Sequence, residues 1–370
     1  MWPVWILALG TQAKSFKANP VIGSRLLNRM GLHVLRVLAA QGAAHFRWAL
    51  LSPIMPRALR EQFHRDGFVL IESFINASEV AAIVSEVGAY KGQTRQMTQG
   101  DTATQRILLN TAALTNMPHT AAAVKARTYR NYLAYAGAKW SRSLHYIQRI
   151  HNGCRSNGPD PQKNMHSDTF HPTIKAWLFL EDVTEAKGPF TYVRGSAKLS
   201  WARLRWEYKR SVGAAQLNDK YSEKGSLRAS AADLAEMGLG EPEGITVKAG
   251  TLVIANTNGF HGRGQAKADA SRLEIWAYSR HNPFSLWPGL PLAGVEAMKH
   301  KIMRWNWRRL DRRALLNKSK ASWHLIPSGT MVGPYGNTNG SITNGAAKGE
   351  TQNLHPKSEE KSFPSNNITG

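Results

Sequence analysis

Between residues 144 and 278 the chain breaks into short apolar runs instead of long amphipathic ones, and that spacing most narrows what it can fold into. Residues 144–150, 174–181, 190–193, 245–247, 252–256 and 273–278 each have strand length and composition, with turn residues between them. Short strands at such intervals bury their inner faces only in a sandwich or a barrel. With 370 residues and 42% apolar content, the chain has material for one large domain with flanking segments.

The second of these runs follows directly on Met165-His166-Ser167-Asp168-Thr169-Phe170-His171-Pro172. Side chains at i and i+2 of an extended segment share a face, so His166 and Asp168 can point the same way. A histidine and a carboxylate so placed begin a 2-His-1-carboxylate site, which leaves open coordination positions on a ferrous ion. The single cysteine, Cys154, excludes thiolate zinc sites and intramolecular disulfides and suits a reducing compartment. A third ligand must therefore be a histidine or a carboxylate. His261 is the candidate, because it follows the run 252–256 and sits in Asn258-Gly259-Phe260-His261-Gly262-Arg263-Gly264, where small residues let backbone approach a ligand. His171, three residues after Asp168, is the competitor to His166. Eleven residues beyond His261, Arg272 opens the last run and offers a bidentate clamp for a carboxylate beside the metal.

The net charge of +23 is concentrated at the two ends of this core. Residues 1–60 hold eight Lys/Arg and no acid, and residues 299–320 hold nine against Asp311 alone. The opening run 2–9 is apolar but too short to span a bilayer. It has no basic residue before it and no small-x-small site after it, so it reads as a weak signal core or a start-site artefact. Arg25, Arg29, His33 and Arg36 fall within one quadrant of a helix whose remaining surface is apolar, a pattern of membrane-surface binding or of a helix packed on the core with its arginines in water. In 299–320, Trp305 and Trp307 stand among seven basic residues, which suits a lipid headgroup layer or stacking and phosphate contact on nucleic acid. Because the N-terminal basic segment is also strongly apolar, the membrane is the preferred partner, with a cytoplasmic, peripheral location and an acyl-chain or other lipid-like substrate.

Segments follow from these boundaries: 1–55 a basic apolar helical region, 56–298 the catalytic domain, 299–326 a basic Trp-containing helix, and 327–370 a Gly/Asn/Ser/Thr-rich disordered tail. Within the domain, a helix closed by Gly67 leads into a strand at 68–71, and Asn76 or Ser78 caps a second helix. Residues 91–118 read as polar and irregular, and 121–140 as one helix. The basic stretch 198–240 interrupts the sheet and is expected to overhang one mouth of the barrel and hold substrate.

Taken together, the chain resembles the phytanoyl-CoA dioxygenase family of Fe(II)/2-oxoglutarate oxygenases over about residues 56–282. The resemblance rests on Phe63-His64-Arg65-Asp66-Gly67-Phe68-Val69-Leu70-Ile71, His166-x-Asp168, Gly188-Pro189-Phe190-x-Tyr192-Val193-x-Gly195-Ser196, His261-Gly262-x-Gly264-Gln265 and Arg272. It implies a mainly β fold with flanking helices around a double-stranded β-helix (jelly-roll, cupin-like) core. It also implies Fe(II) on His166, Asp168 and His261, and 2-oxoglutarate as cosubstrate with its distal carboxylate on Arg272. Trp177 and Gln148 match positions lining the cosubstrate pocket, and O2 takes the remaining iron position. Arg263 stands where the family commonly has a small hydroxyl residue, and Arg194 replaces the proline before Gly-Ser. The implied activity is hydroxylation of a C–H bond in a small apolar or lipid-like molecule, with release of succinate and CO2. The other readings are a nucleic-acid-directed oxygenase with the same centre and a metal-free binding protein on the same scaffold.

Overall fold

Strand-to-strand alternation in the middle of the chain sorts its side chains into two apolar interiors, and a large antiparallel sheet lies between them. In the computed structural model the described residues are 2–140, 143–154, 158, 160–214, 219–290, 293–316, 322–327 and 331. Met1–Tyr335 forms one compact unit and Gly336–Gly370 a second. All of the second, and with it most of the expected disordered tail, lies outside the described residues.

The strands in chain order are β1 (Phe68–Ile71), β2 (Thr94–Gln99), β3 (Thr102–Leu108), β4 (Leu144–Asn152), β5 (Ile174–Phe179), β6 (Phe190–Tyr192), β7 (Glu243–Ile245), β8 (Leu252–Asn256), β9 (His261–Arg263), β10 (Ser271–Ser279) and β11 (His324–Ile326). Eight of them form one sheet in the order β1-β8-β5-β10-β4-β3-β2-β11, and β7-β6-β9 form a second, smaller one. The fold is mainly β with flanking helices, two sheets facing across a shared interior, as a jelly-roll requires.

Period-two alternation explains the partition. Leu273, Ile275 and Ala277 of β10 join Ala176, Leu178, Leu252 and Ile254 in a core covered by helices Leu32–Leu50, Ala77–Ala89 and Arg127–Ala136. The opposite faces put Trp276, Trp177, Phe179, Tyr146 and Val253 between the sheets, against Phe190, Tyr192 and Ile245 of the small one.

Four expectations need correction. Residues 91–118 are not irregular, since they form β2, β3 and helix Thr111–Thr115. Their strands are polar because Arg95, Gln96 and Gln105 are buried as hydrogen-bonding side chains, so no apolar alternation marks them. The single helix over 121–140 is two, Pro118–Lys125 and Arg127–Ala136, broken where Ala126 takes an extended ψ of 132°. The basic C-terminal helix runs Ala293–Leu315, and the chain then returns as β11 along β2.

The fourth correction concerns the N-terminal stripe. Arg25 and Arg29 are exposed, but His33 and Arg36 face inward. Arg36 donates to the carbonyls of Leu9, Thr11 and Ala13 and lies over the Phe170 ring, so it holds the N-terminal arm against the core. Burial is offset because Nε and Nη2 meet these acceptors, while Nη1 is left without one. Leu26, Met30, Leu35, Leu38, Phe46 and Leu50 are left exposed. No helix among the described residues is long and apolar enough to cross a membrane.

Within the stretch 198–240, residues 226–229 run against the ligand loop, Arg228 in a β-bridge with His166 and Ala229 N donating to Met165 O at 3.1 Å. The helix Trp201–Gly213 of this stretch packs on Arg25–Arg29 and Leu32–Leu50 through a buried polar group: His33 Nε2 is 2.8 Å from Glu207 Oε2, and Arg203 donates to Glu207 Oε1 at 2.9 Å. Burial opposes ionisation of Glu207, but Arg203 and His33 outweigh it and hold the carboxyl at about 2, below its ordinary 4.5. A depressed carboxyl contributes stability that is fully present above its unfolded pKa and disappears as pH falls through the folded one. We therefore expect unfolding free energy to decline between about pH 5 and pH 2. Glu207→Gln should flatten that decline in urea titrations, and Glu207→Ala should cost about 3–5 kcal/mol by leaving Arg203 buried without its partner.

Candidate metal centre

His166 and His261 come together through backbone pairing. Each amide donates to the other's carbonyl, His166 N to His261 O at 2.9 Å and His261 N to His166 O at 3.0 Å, which sets the rings 4.4 Å apart between centroids. Asp168 is anchored from β8's end, its amide donating to Thr257 O at 2.9 Å. The glycines around His261 are needed for this approach: a Cβ on Gly259 would collide with Tyr192 Oη and one on Gly262 with the Met165 side chain.

One ligand atom from each of His166, Asp168 and His261 lies within 4.8 Å of the others. Both Nε2 atoms are 3.7 Å from Asp168 Oδ1. Each Nδ1 faces a backbone carbonyl, Asn164 O at 2.8 Å for His166 and Gly259 O at 3.0 Å for His261. With Nδ1–H donating there, each Nε2 keeps its lone pair toward Asp168, the outer-shell arrangement that orients metal-binding histidines. Burial, then the neighbouring His261, pushes His166 well below its ordinary pKa; burial, then Lys175, brings His261 to about 4. Both are neutral imidazoles at pH 7. Burial alone would raise Asp168, but the charge and hydrogen bond of Lys175 hold it ionised. Two neutral nitrogens and one carboxylate are the donor set of a facial ferrous site, so the residues fit the metal.

His171 stays out of the cluster: it is buried, its Nδ1 on Pro172 O at 3.1 Å, and burial lowers it to about 3. The other sequence candidates line the interior farther along. Trp177 stacks on Phe190 with centroids 4.3 Å apart. Gln148 accepts from Arg106 at 2.7 Å and donates to Glu274 at 2.6 Å. Arg272 donates to Gly188 O, while its buried Nε lies 3.2 Å from Glu274 Oε2 without making a hydrogen bond. That unsatisfied donor is a fit for a further carboxylate, as 2-oxoglutarate would bring.

Reading the sequence missed five charged neighbours. Lys175 reaches Asp168 Oδ2 at 2.8 Å and His261 Nε2 at 3.3 Å, and Lys14 donates to the Asp168 carbonyl from the N-terminal arm. Burial, the first cause, lowers Lys14 to about 8 against the pull of Asp168. Arg228, bridged to His166 and acting on Asp168, Glu274, which burial raises, and Arg106 complete the set. Lys175 and Glu274 were findable, being two residues from Trp177 and Arg272 on the same strand faces. Lys14 was not, because nothing local ties the N-terminal arm to the site.

Residues 63–273 match the family model described as phytanoyl-CoA dioxygenase. No curated protein matches the chain. Among solved structures it is similar to the non-heme alpha-ketoglutarate-dependent epimerase SnoN from nogalamycin biosynthesis, at 16% identity over 62% of this chain and 82% of that one, with a TM-score of 0.38. HygX from Streptomyces hygroscopicus, solved with nickel and 2-oxoglutarate, shares 19% identity over 60% and 86%, with a TM-score of 0.39. AviO1 from Streptomyces viridochromogenes Tue57 shares 15% over 65% and 98%, with a TM-score of 0.38.

Titration of the metal-free protein with Co(II) or Fe(II) should show a single site per chain. His261→Ala should weaken it by more than the roughly 10–100-fold that an outer-shell change costs, and His171→Ala should leave it in place. Equal loss in both variants would break the assignment.

Proposed function

The chain belongs to the phytanoyl-CoA dioxygenase family, and from that premise we propose that it hydroxylates a C–H bond of a small, largely apolar molecule, using Fe(II) and 2-oxoglutarate. The observation that carries the reading is the compact His166, Asp168, His261 group at the edge of an aromatic-lined interior. Iron and 2-oxoglutarate supply an oxidative decarboxylation that sends one atom of O2 into succinate and the other into the new hydroxyl, with 2-oxoglutarate and the C–H bond each giving two electrons. The chain's own part is to hold, orient and exclude water.

His166, Asp168 and His261 hold the metal on one face. Asp168 in the ligand set supports hydroxylation over halogenation, which needs that position vacated. Arg272 receives the distal carboxylate of 2-oxoglutarate on the Nε that otherwise lacks an acceptor, beside Gln148 and Trp177. Lys175 keeps Asp168 ionised and its second oxygen occupied, so that Oδ1 faces the imidazoles. Hydrogen bonds from β10 to β4 and β5 fix these groups, so their geometry precedes binding.

The enzyme also docks on anionic membrane. Arg25 and Arg29 stand among exposed Leu26, Met30, Leu35 and Leu38, and Trp305 is exposed beside Ile302 on the C-terminal helix, an amphipathic and cationic combination suited to headgroups.

Succinate release should require both Fe(II) and 2-oxoglutarate and should vanish in His166→Ala; full turnover in that variant sinks the reading. Arg272→Gln should raise the KM for 2-oxoglutarate by about 10–100-fold, the cost of one charge-assisted contact of about 1.5–3 kcal/mol. Co-sedimentation with phosphatidylserine vesicles should fall as salt rises and fall again in Arg25→Glu/Arg29→Glu. Salt-dependent binding to duplex DNA with none to vesicles would instead favour a nucleic-acid-directed enzyme.

A further inference from the structure

A cavity of about 310 Å³ opens at Asp168 and runs to the C-terminal segment. It lies at the other end of β10 from Arg272. Its lining on that strand begins at Trp276 and ends at Arg280, and neither Arg272 nor Glu274 takes part. Trp276 stands four residues beyond Arg272, about 13 Å along a strand rising ~3.3 Å per residue. The cavity thus excludes Arg272 and meets the proposed cosubstrate residues through Arg106, whose Nε donates to Gln148, while its inner end is at Asp168.

Its outer wall is the basic segment that composition assigned to a membrane or nucleic acid. Arg95 of β2 grips Asp311 with two hydrogen bonds, at 3.0 and 2.5 Å, and also donates to Trp323 O at 3.2 Å. β11 pairs with β2, and Tyr146 Oη meets Met303 Sδ at 2.9 Å. These contacts turn Trp307 and Trp323 into the cavity, while Trp305 on the same helix is exposed.

The cavity's chemistry is specific. Arg106 places its guanidinium carbon 4.0 Å from the Trp276 ring centroid, 4.7 Å from Trp323 and 5.2 Å from Tyr146. Its Nε donates to Gln148, a neutral group. Of the lining cations, Arg95 is paired with Asp311, Lys175 with Asp168, and Arg280 is exposed, whereas among the described residues the half-buried Arg106 has no carboxylate within salt-bridge distance. Burial lowers it only to about 10, so it is charged at neutral pH. A desolvated guanidinium held between aromatic faces is stabilised by an anion arriving on its free edge. Flat walls made of indole and phenol rings favour a flat partner, since offset ring pairs attract beyond the area they bury. The volume falls at the lower limit for a small-molecule site and suits a compact ligand.

We propose that the substrate is an aromatic carboxylic acid, its ring against Trp276, Trp307 and Trp323 and its carboxylate on Arg106. This rests on the hydroxylase reading and narrows its substrate. Arg106 and the C-terminal tryptophans determine specificity; Arg272 serves the cosubstrate alone.

The test uses the full chain loaded with Fe(II) under anaerobic conditions, with 2-naphthoate as probe. Binding of the probe is read by tryptophan fluorescence quenching, and binding of 2-oxoglutarate by its charge-transfer absorbance on the iron. 2-Naphthoate should bind at least tenfold more tightly than 2-naphthamide or decanoate. Arg106→Gln should abolish the preference for acid over amide, and Trp307→Ala should weaken 2-naphthoate at least tenfold, with Trp307→Phe restoring most of it. The 2-oxoglutarate absorbance midpoint should stay put in all three variants. A tighter fit for decanoate, an unchanged affinity in Trp307→Ala, or no probe binding at all overturns the proposal. So does a shifted 2-oxoglutarate midpoint in Arg106→Gln, which would make Arg106 a cosubstrate residue. Absence of the absorbance band in the unmodified protein marks a failure of the hydroxylase reading instead.

Discussion

Two backbone hydrogen bonds between His166 and His261 hold the candidate site together. They join a short extended segment before β5 to β9, and so bring two imidazoles into ring contact while their Nδ1 atoms find carbonyls of their own chain neighbours. Everything else reinforces that junction. Tyr192 fills the space that Gly259 leaves and donates to Asn256 O; Ser226 donates to Ser167 O; Ser167 N donates to Leu227 O. The stretch 198–240 and the N-terminal arm thereby brace the ligand loop from outside, without lining the cavity that reaches Asp168.

Charge has three distinct uses in this chain, and a count of +23 blends them. Some cations are structural rivets, as Arg36 is on three carbonyls and Arg95 on Asp311. Others, Lys14, Lys175 and Arg228, crowd the carboxylate of Asp168 and bias the site toward anionic ligands. A third group, including Arg25, Arg29 and the outer face of the C-terminal helix, lies in water. Burial separates them physically: a desolvated cation must find acceptors or an anion, whereas an exposed one need not.

Much of the sheet was legible because β4, β5, β8 and β10 alternate apolar residues and carry β-branched or aromatic side chains. β2 and β3 were not, since Thr94, Gln96, Thr104 and Gln105 are buried polar residues, Gln96 and Gln105 bonded to each other across the strands, which leaves no apolar period to read. The break at Ala126 escaped notice for a related reason: alanine carries no stop signal, and the turn there is imposed by packing. The inward turn of His33 and Arg36 was equally hidden, because a basic stripe reads the same whether its partners are water or the carbonyls of a folded arm.

By itself the sequence determined the chemistry class: spacing put His166 and Asp168 on one face, and glycines around His261 left room for a third ligand. Those are local consequences of backbone geometry, and they need no knowledge of distant contacts. Only the tertiary structure decided what surrounds the metal. Lys14 and Lys175 at Asp168, Glu274 beside Arg272, and the tryptophans of the C-terminal segment over the barrel mouth are all contacts between residues remote in the chain. Specificity arises from such contacts because a cavity is a property of walls that fold together, and no single wall carries its shape.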